Sequence, residues 1–300
     1  MSILSIQEVS KYYGDYQALN SVSMEISKGS IFGLLGPNGA GKTSLIRIIN
    51  QITGPDEGKV LFDGKALAPQ HISRIGYLPE ERGLYPKMKV GEQIMYLARL
   101  KNLDKASAKK TVREWFERFE IESWRDKNVE ELSKGMQQKV QFIATVIHKP
   151  DLLIFDEPFT GFDPINTNLI KSEIRRLRDE GATIIFSTHR MESVEEICDD
   201  IALINKSHKI LEGPIKEVKM ANKSHNYIFE VAGDFNGAVP NGMQLLEQKS
   251  KEGITTLKVS VPDDNTSELI KQIVSNQQLI SFNEELPSLN DIFIQKVQAV

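Results

Sequence analysis

Gly36-Pro37-Asn38-Gly39-Ala40-Gly41-Lys42-Thr43 fits the pattern G-x-x-x-x-G-K-[ST], the signature of a phosphate-binding loop. Directly before it, Ile31-Phe32-Gly33-Leu34-Leu35 is uninterrupted apolar sequence and reads as a buried parallel strand. Directly after it, Ser44-Leu45-Ile46-Arg47-Ile48-Ile49 reads as the start of a helix. Strand, glycine loop and helix together are the context in which this pattern has a physical meaning. Gly36, Gly39 and Gly41 lack a Cβ, so the backbone can curl with its N–H groups facing inward on a phosphate. The helix N-terminus adds the positive end of a dipole. Lys42 supplies a mobile charge for β- and γ-phosphates, and the Thr43 hydroxyl is a ligand for Mg²⁺.

The rest of the chain bounds what such a loop can serve. Three hundred residues suggest two domains, and 40% apolar with 26% charged residues is ordinary globular composition. A net charge of −4 gives no general nucleic-acid footprint, so no nucleic-acid partner is expected. The single cysteine, Cys198, rules out a disulfide framework within the chain and agrees with a reducing cytoplasm. Met1-Ser2-Ile3-Leu4-Ser5 lacks the basic and apolar regions of a signal peptide. No run approaches the roughly 18 apolar residues that span a bilayer, so a soluble chain is expected, with any membrane role exercised through a partner.

In chain order, Ile3–Val9 and Leu19–Ile26 alternate as strands, with a turn expected over Lys11–Gly14 and another at Lys28-Gly29. Short strands are expected at Lys59–Phe62 and Ile75–Leu78. Helical spacing follows over Val90–Leu100 and Lys105–Phe119. Ser133 reads as the N-cap of a helix running to about His148. Leu152-Leu153-Ile154-Phe155 is a second buried parallel strand. It ends in Asp156-Glu157, where open α/β sheets bind ligands. A helix over Asn166–Glu180 and a strand over Thr183–Phe186 follow, the strand stopping at Ser187-Thr188-His189. Next come a helix over Met191–Cys198, a hairpin through Asn205–His208 and a short helix near Ile215–Met220. Ala221–Ser224 reads as a linker to a small α+β domain. Its strands are expected at Tyr227–Val231, Gln244–Gln248, Thr255–Val261 and Leu279–Phe282, and its helices at Thr266–Ser275 and Ser288–Val297.

One phosphate loop implies an ATPase or GTPase. Asp156 at a strand tip is the expected Mg²⁺ partner, through water, and Glu157 beside it is the expected general base. One aromatic face a few dozen residues before such a loop can stack on an adenine ring, and Tyr13 is favoured for it.

The ordered set of a glycine loop, Leu132-Ser133-x-Gly135, Asp156-Glu157 and His189 resembles the ATP-binding cassette (ABC) ATPases over roughly residues 3–220. The resemblance implies an α/β P-loop NTPase fold with a mixed sheet core, an antiparallel β subdomain and a helical subdomain over about 84–150. It gives an ATPase domain over 1–222, followed by a C-terminal accessory α+β domain over 223–300. It implies ATP on Tyr13, Gly36, Pro37, Asn38, Gly39, Ala40, Gly41, Lys42, Thr43 and Ser44. Catalysis falls to Glu157, His189 and Lys42, and Mg²⁺ to Thr43, Asp156 and Glu80. Asp163 matches the residue that communicates across a dimer. Ser133, Lys134, Gly135 and Met136 match the signature that reaches the nucleotide of a second, head-to-tail subunit, in a homodimer or heterodimer.

Two departures stand out. The signature usually reads Leu-Ser-Gly-Gly-Gln, and Lys134 and Met136 replace a glycine and the glutamine. After Ile75-Gly76-Tyr77-Leu78-Pro79, where the family has a Mg²⁺-sensing glutamine, this chain has Glu80, with Glu81 as the neighbouring alternative.

The pattern Ile75–Tyr85, with Leu132–Gln141 and the C-terminal addition, is similar to a branch of ABC exporters that includes sodium-extrusion-type ATPases. That resemblance implies a separate integral-membrane subunit at the inner face of the cell membrane, docking near Arg82–Val90 through Leu84, Tyr85 and Met88. In the appended domain charged and polar residues are scattered, so regulation or dimer contact is expected there rather than substrate binding. The alternative is a soluble ABC ATPase acting on ribosomes or DNA. Such proteins usually carry two cassettes or large insertions, and this chain shows neither.

Overall fold

The computed structural model describes every residue except 82, 236, 238, 240, 241, 263–265, 299 and 300, and only the backbone of 272 and 276. Arg82, first residue of the expected docking loop, therefore lies outside the described residues. The chain divides into two compact units, Met1–Ile215 and Lys216–Val300.

The first unit holds ten strands and most of the helices. In order they are β1 (Ser2–Tyr13), β2 (Tyr16–Ser27), β3 (Ile31–Leu35), α1 (Lys42–Ile49), β4 (Glu57–Phe62), β5 (Lys65–Ala66) and β6 (Ile75–Leu78). Then come α2 (Val90–Leu100), α3 (Lys105–Arg118), α4 (Lys134–Val146), β7 (Leu152–Asp156), α5 (Pro164–Asp179), β8 (Thr183–Ser187), α6 (Met191–Ile197), β9 (Asp200–Asn205) and β10 (His208–Pro214). A short helix, α7 (Ile215–Ala221), follows.

Two sheets form. A six-stranded sheet runs β10-β9-β3-β8-β7-β6, parallel except for β10, and a four-stranded antiparallel sheet runs β2-β1-β4-β5. Every residue of β3, β7 and β8 is buried, as strands covered on both faces require. A core of Ile, Leu, Val and Phe side chains fills the space around α1, each worth about 1.5–3 kcal/mol when fully buried.

The fold class expected from sequence, an α/β cassette with mixed and antiparallel sheets and a helical region, is what forms. The turn expected over Lys11–Gly14 is displaced. β1 runs on to Tyr13, and the chain turns at Gly14-Asp15. Asp56 holds it there, its carboxylate accepting from Lys11 Nζ at 3.0 Å and Tyr12 N at 2.6 Å. The helix expected to reach His148 ends at Val146.

The second unit is a four-stranded antiparallel sheet with helices. Its elements are β11 (Asn226–Ala232), β12 (Gln244–Lys251), β13 (Ile254–Ser260), α8 (Thr266–Asn276), β14 (Leu279–Glu285) and α9 (Leu289–Gln298), and the strand order is β12-β13-β11-β14. Alternation along β11 buries Tyr227, Phe229 and Val231 against Leu257, Val259, Leu269 and Ile273.

Candidate nucleotide site

Strand order decides where the motifs meet. β3, β8, β7 and β6 are successive neighbours, so the segments leaving their C-terminal ends share one cleft of about 370 Å³. β3 feeds the glycine loop and β8 feeds His189. β7 ends in Asp156-Glu157, and β6 leads to Glu80; all line the cleft. This is where an open parallel sheet binds ligands.

The loop's glycines are forced by space as well as by conformation. A Cβ on Gly36 (φ 150°) would lie 2.2 Å from the Ile204 carbonyl oxygen, and one on Gly41 (φ 116°) would lie 2.4 Å from that of Ala18. Lys42 opens α1 and is buried, its Nζ donating to the carbonyls of Gly36 at 2.7 Å and Pro37 at 3.1 Å. Burial lowers its pKa, against the raising influence of Asp156, Glu157 and Glu80. Asn38, Gly39, Ala40, Thr43 and Ser44 also line the cleft.

Glu157 lies in the left-handed region, φ 49°, a conformation that costs a non-glycine residue roughly 1–2 kcal/mol. The turn is held because Glu157 N donates to Ser187 O at 2.8 Å. Its carboxylate accepts from Thr188 Oγ1 at 3.0 Å, from His189 N at 2.9 Å and from His189 Nδ1 at 2.7 Å. Donation from Nδ1 ties the ring to the carboxylate and leaves Nε2 outside that bond. Asp156 is buried beside it, and that burial raises its pKa. The Ser187 hydroxyl opposes the rise, negative charge on Glu80 and Glu157 adds to it, and Lys42 opposes it more weakly.

Among the described residues no three His, Cys, Asp or Glu side chains converge into an all-protein metal cage. Three oxygen donors of different kinds, Thr43, Asp156 and Glu80, line the cleft beside the phosphate loop. That donor set suits Mg²⁺, which is commonly held by one or two carboxylates together with substrate phosphates. Glu80 lines the cleft and Glu81 does not.

Other expected site residues lie outside the cleft. The ring at its mouth is Tyr16, and Tyr13 is not among the lining residues. The two are register partners across the β1–β2 hairpin, hence on one face. Tyr16 Oη donates to Gly39 O at 3.0 Å, while Lys11 Nζ sits 5.6 Å from the centre of the Tyr13 ring. Ser133 caps α4, accepting from Met136 N at 3.3 Å; it and Lys134 are exposed, and Gly135 and Met136 are half-buried. None of the four lines the cleft. Asp163 caps α5, its carboxylate accepting from Asn166 N at 2.8 Å and Nδ2 at 2.7 Å. Those bonds lower its pKa.

Tyr16 and Thr188 were not singled out from sequence. The Tyr13-Gly14-Asp15-Tyr16 turn carried the signal for the first, since a two-residue loop makes its flanking residues partners. Nothing local marks the second.

A phosphate-loop cleft with a strand-tip Asp-Glu pair and a histidine on the neighbouring strand is that of an ABC ATPase. The comparisons agree. The "ABC transporter" family description matches residues 19–160, and "ATP-binding protein DrrA1-3-like, C-terminal domain" matches residues 213–297. The chain is 42% identical over 299 residues to the uncharacterized ABC transporter ATP-binding protein YhaQ of Bacillus subtilis (strain 168), covering 99% of each. It is 36% identical to ABC transporter ATP-binding protein NatA of the same organism, over 71% of this chain and 89% of that one. A solved ATP-binding subunit of an ABC transporter superposes with a TM-score of 0.69 at 26% identity, covering 73% of this chain and 93% of that chain. The chain belongs to the ABC transporter ATP-binding proteins. No described helix is long and apolar enough to cross a membrane.

Proposed function

We propose that this chain hydrolyses ATP to drive a separate membrane-spanning subunit of an exporter. The observation that carries the reading is the Glu157 carboxylate. Thr188 and His189 hold it at a strand tip, and it faces the Lys42 loop across one cleft. A fixed carboxylate there orients a water and takes its proton as the water attacks the γ-phosphate in line. Lys42 and the His189 ring stand where charge develops on the phosphoryl oxygens. Mg²⁺, when bound with the nucleotide, neutralises phosphate charge, with Thr43, Asp156 and Glu80 as its protein ligands. Tyr13, beside Tyr16, takes the adenine.

Two copies assemble head-to-tail, so that Ser133, Lys134, Gly135 and Met136 of one reach the nucleotide of the other and Asp163 lies at their contact. ATP then binds the closed pair better than the open one, which is what a population shift requires. The membrane subunit docks beside Leu84 and Tyr85. In support, an apolar groove of about 390 Å³ runs past Leu84, Tyr77 and Leu97. Ile52, Tyr85, Tyr96 and Leu100 in the same region are all exposed. The chain is thereby peripheral to the inner membrane face. Outward transport is supported by relatives named Nod factor export ATP-binding protein I and Linearmycin resistance ATP-binding protein LnrL. Residues 223–300 serve regulation or dimer contact.

Glu157→Gln tests the core of this. Turnover should fall by about 10²–10⁴ and an ATP-bound dimer should accumulate in light scattering. A monomeric variant with wild-type turnover would refute both the base and the sandwich.

A further inference from the structure

Helix α4 carries two glutamines that packing alone does not explain. Gln138 is 3% and Gln141 is 4% exposed, and three positions apart they share a helix face. Gln138 Nε2 donates to Pro158 O at 3.4 Å. Gln141 Nε2 donates to Pro79 O at 3.3 Å and to Glu81 O at 3.4 Å. Pro158 directly follows Glu157, and Pro79 and Glu81 flank Glu80. One face of one helix therefore grips both acidic segments of the cleft.

The grip falls beyond the strand ends. β6 ends at Leu78 and β7 at Asp156, so the segments carrying Glu80 and Glu157 have left their strands. The amide also comes at a disadvantage: Gln141 Oε1 is buried with no hydrogen-bond partner. Leaving a buried polar atom unmatched is unfavourable, and an apolar side chain of similar size would avoid it. The N–H end is what such a side chain lacks.

We infer that Gln141, with Gln138 one turn earlier, is a positioning bracket that makes Glu80 and Glu157 follow movements of the signature end of α4. Ser133 caps that end, eight residues before Gln141, or about 12 Å along the axis. Whatever displaces Ser133 displaces the two carboxylate segments with it, because α4 moves as a rod. The inference rests on the reading of the cleft as an ATPase site and names residues outside that cleft as its adjusters.

The test uses the full-length chain carrying Gln141→Met, which keeps length and volume but cannot donate. Mg²⁺-dependent binding of a fluorescent ATP analogue is titrated, and kcat and KM for ATP are measured separately. The bracket requires the Mg²⁺ concentration at half-saturation to rise, and kcat to fall, by about five- to tenfold, the worth of one or two hydrogen bonds. KM and the melting temperature should stay at wild-type values. If the thioether lowers the melting temperature, Gln141→Leu, of similar volume and with neither donor nor acceptor, must give the same result. Wild-type Mg²⁺ dependence and kcat in both variants overturn the bracket. Glu80→Gln separates the layers. An impaired Glu80→Gln beside a wild-type Gln141→Met overturns the bracket and leaves the reading of the cleft intact. An inert Glu80→Gln beside an impaired Gln141→Met keeps the bracket and removes Glu80 from the site.

Discussion

Both units bury an apolar core, and among the described residues only the first also buries charge at a cleft. In the first, the cleft at the strand tips places Lys42 and Asp156 out of water, one with its pKa lowered by burial and the other raised by it. In the second, the sheet β11–β14 buries aromatic and aliphatic side chains. Tyr227 and Phe282 stack with centroids 5.4 Å apart, and Phe229 lies 4.8 Å from Phe282. Its ion pairs, such as Lys258–Glu285 and Lys223–Glu284, stay partly in water, where they add little stability. The contrast separates groups that hold a fold from groups that the fold must hold against their preference. Lys42 and Asp156, at the cleft, are of the second kind.

The sharpest way to break the contrast is to remove a holding group. Phe229→Ala should destabilise the second unit by about 3–5 kcal/mol, while nucleotide binding in the first stays at the wild-type level. A melt followed beside a nucleotide titration reads both. Loss of ATP binding would show that the units are not energetically separate.

The opposite experiment removes a held group. Asp156→Asn should lower turnover about a hundredfold, yet raise the melting temperature at neutral pH by about 2–4 °C, the shift that 1 kcal/mol brings to a domain of this size. The sign follows from burial. Asp156's pKa is higher folded than unfolded, so its ionised form weakens the fold at neutral pH. That penalty disappears as pH falls through the folded pKa toward the ordinary carboxylate range. The advantage of the Asn variant should therefore shrink on acidification, in melts at stepped pH. Turnover of the native protein should fall over the same window. A less stable Asn variant at pH 7 would mean that attraction to Lys42 outweighs burial.

Sequence reading placed strands in both units. Every strand of the sheet that carries the cleft was legible, because β3, β7 and β8 are built on apolar runs, 31–35, 152–155 and 184–186, that lead into chemically distinctive residues. Gly36, Lys42, Asp156, Glu157 and His189 could be assembled before any coordinates, since strand tips in parallel sheets point one way. What escaped depended on distant pairing. Asp56 sets where β1 ends, and it lies 44 positions beyond Tyr12. Thr188 finds Glu157 only because β8 lies beside β7. Nothing in the neighbours of Gln138 and Gln141 reveals that both are buried.

The smallest expected effect sharpens the contrast at the cleft's rim. Tyr16→Phe removes the donation to Gly39 O and nothing else. It should raise KM for ATP about two- to tenfold, as one hydrogen bond allows, without moving kcat. An unchanged KM would leave the ring, and not its hydroxyl, as what matters there.

The backbone at Glu157 bears on how this protein can be hardened. Its left-handed φ of 49° is one that glycine or asparagine would adopt with less strain. Either would forfeit the three hydrogen bonds that the carboxylate accepts, each worth about 1.5–3 kcal/mol to a charged group. A laboratory selecting only for survival on heating should therefore see Glu157 stay, its side chain offsetting what its backbone costs.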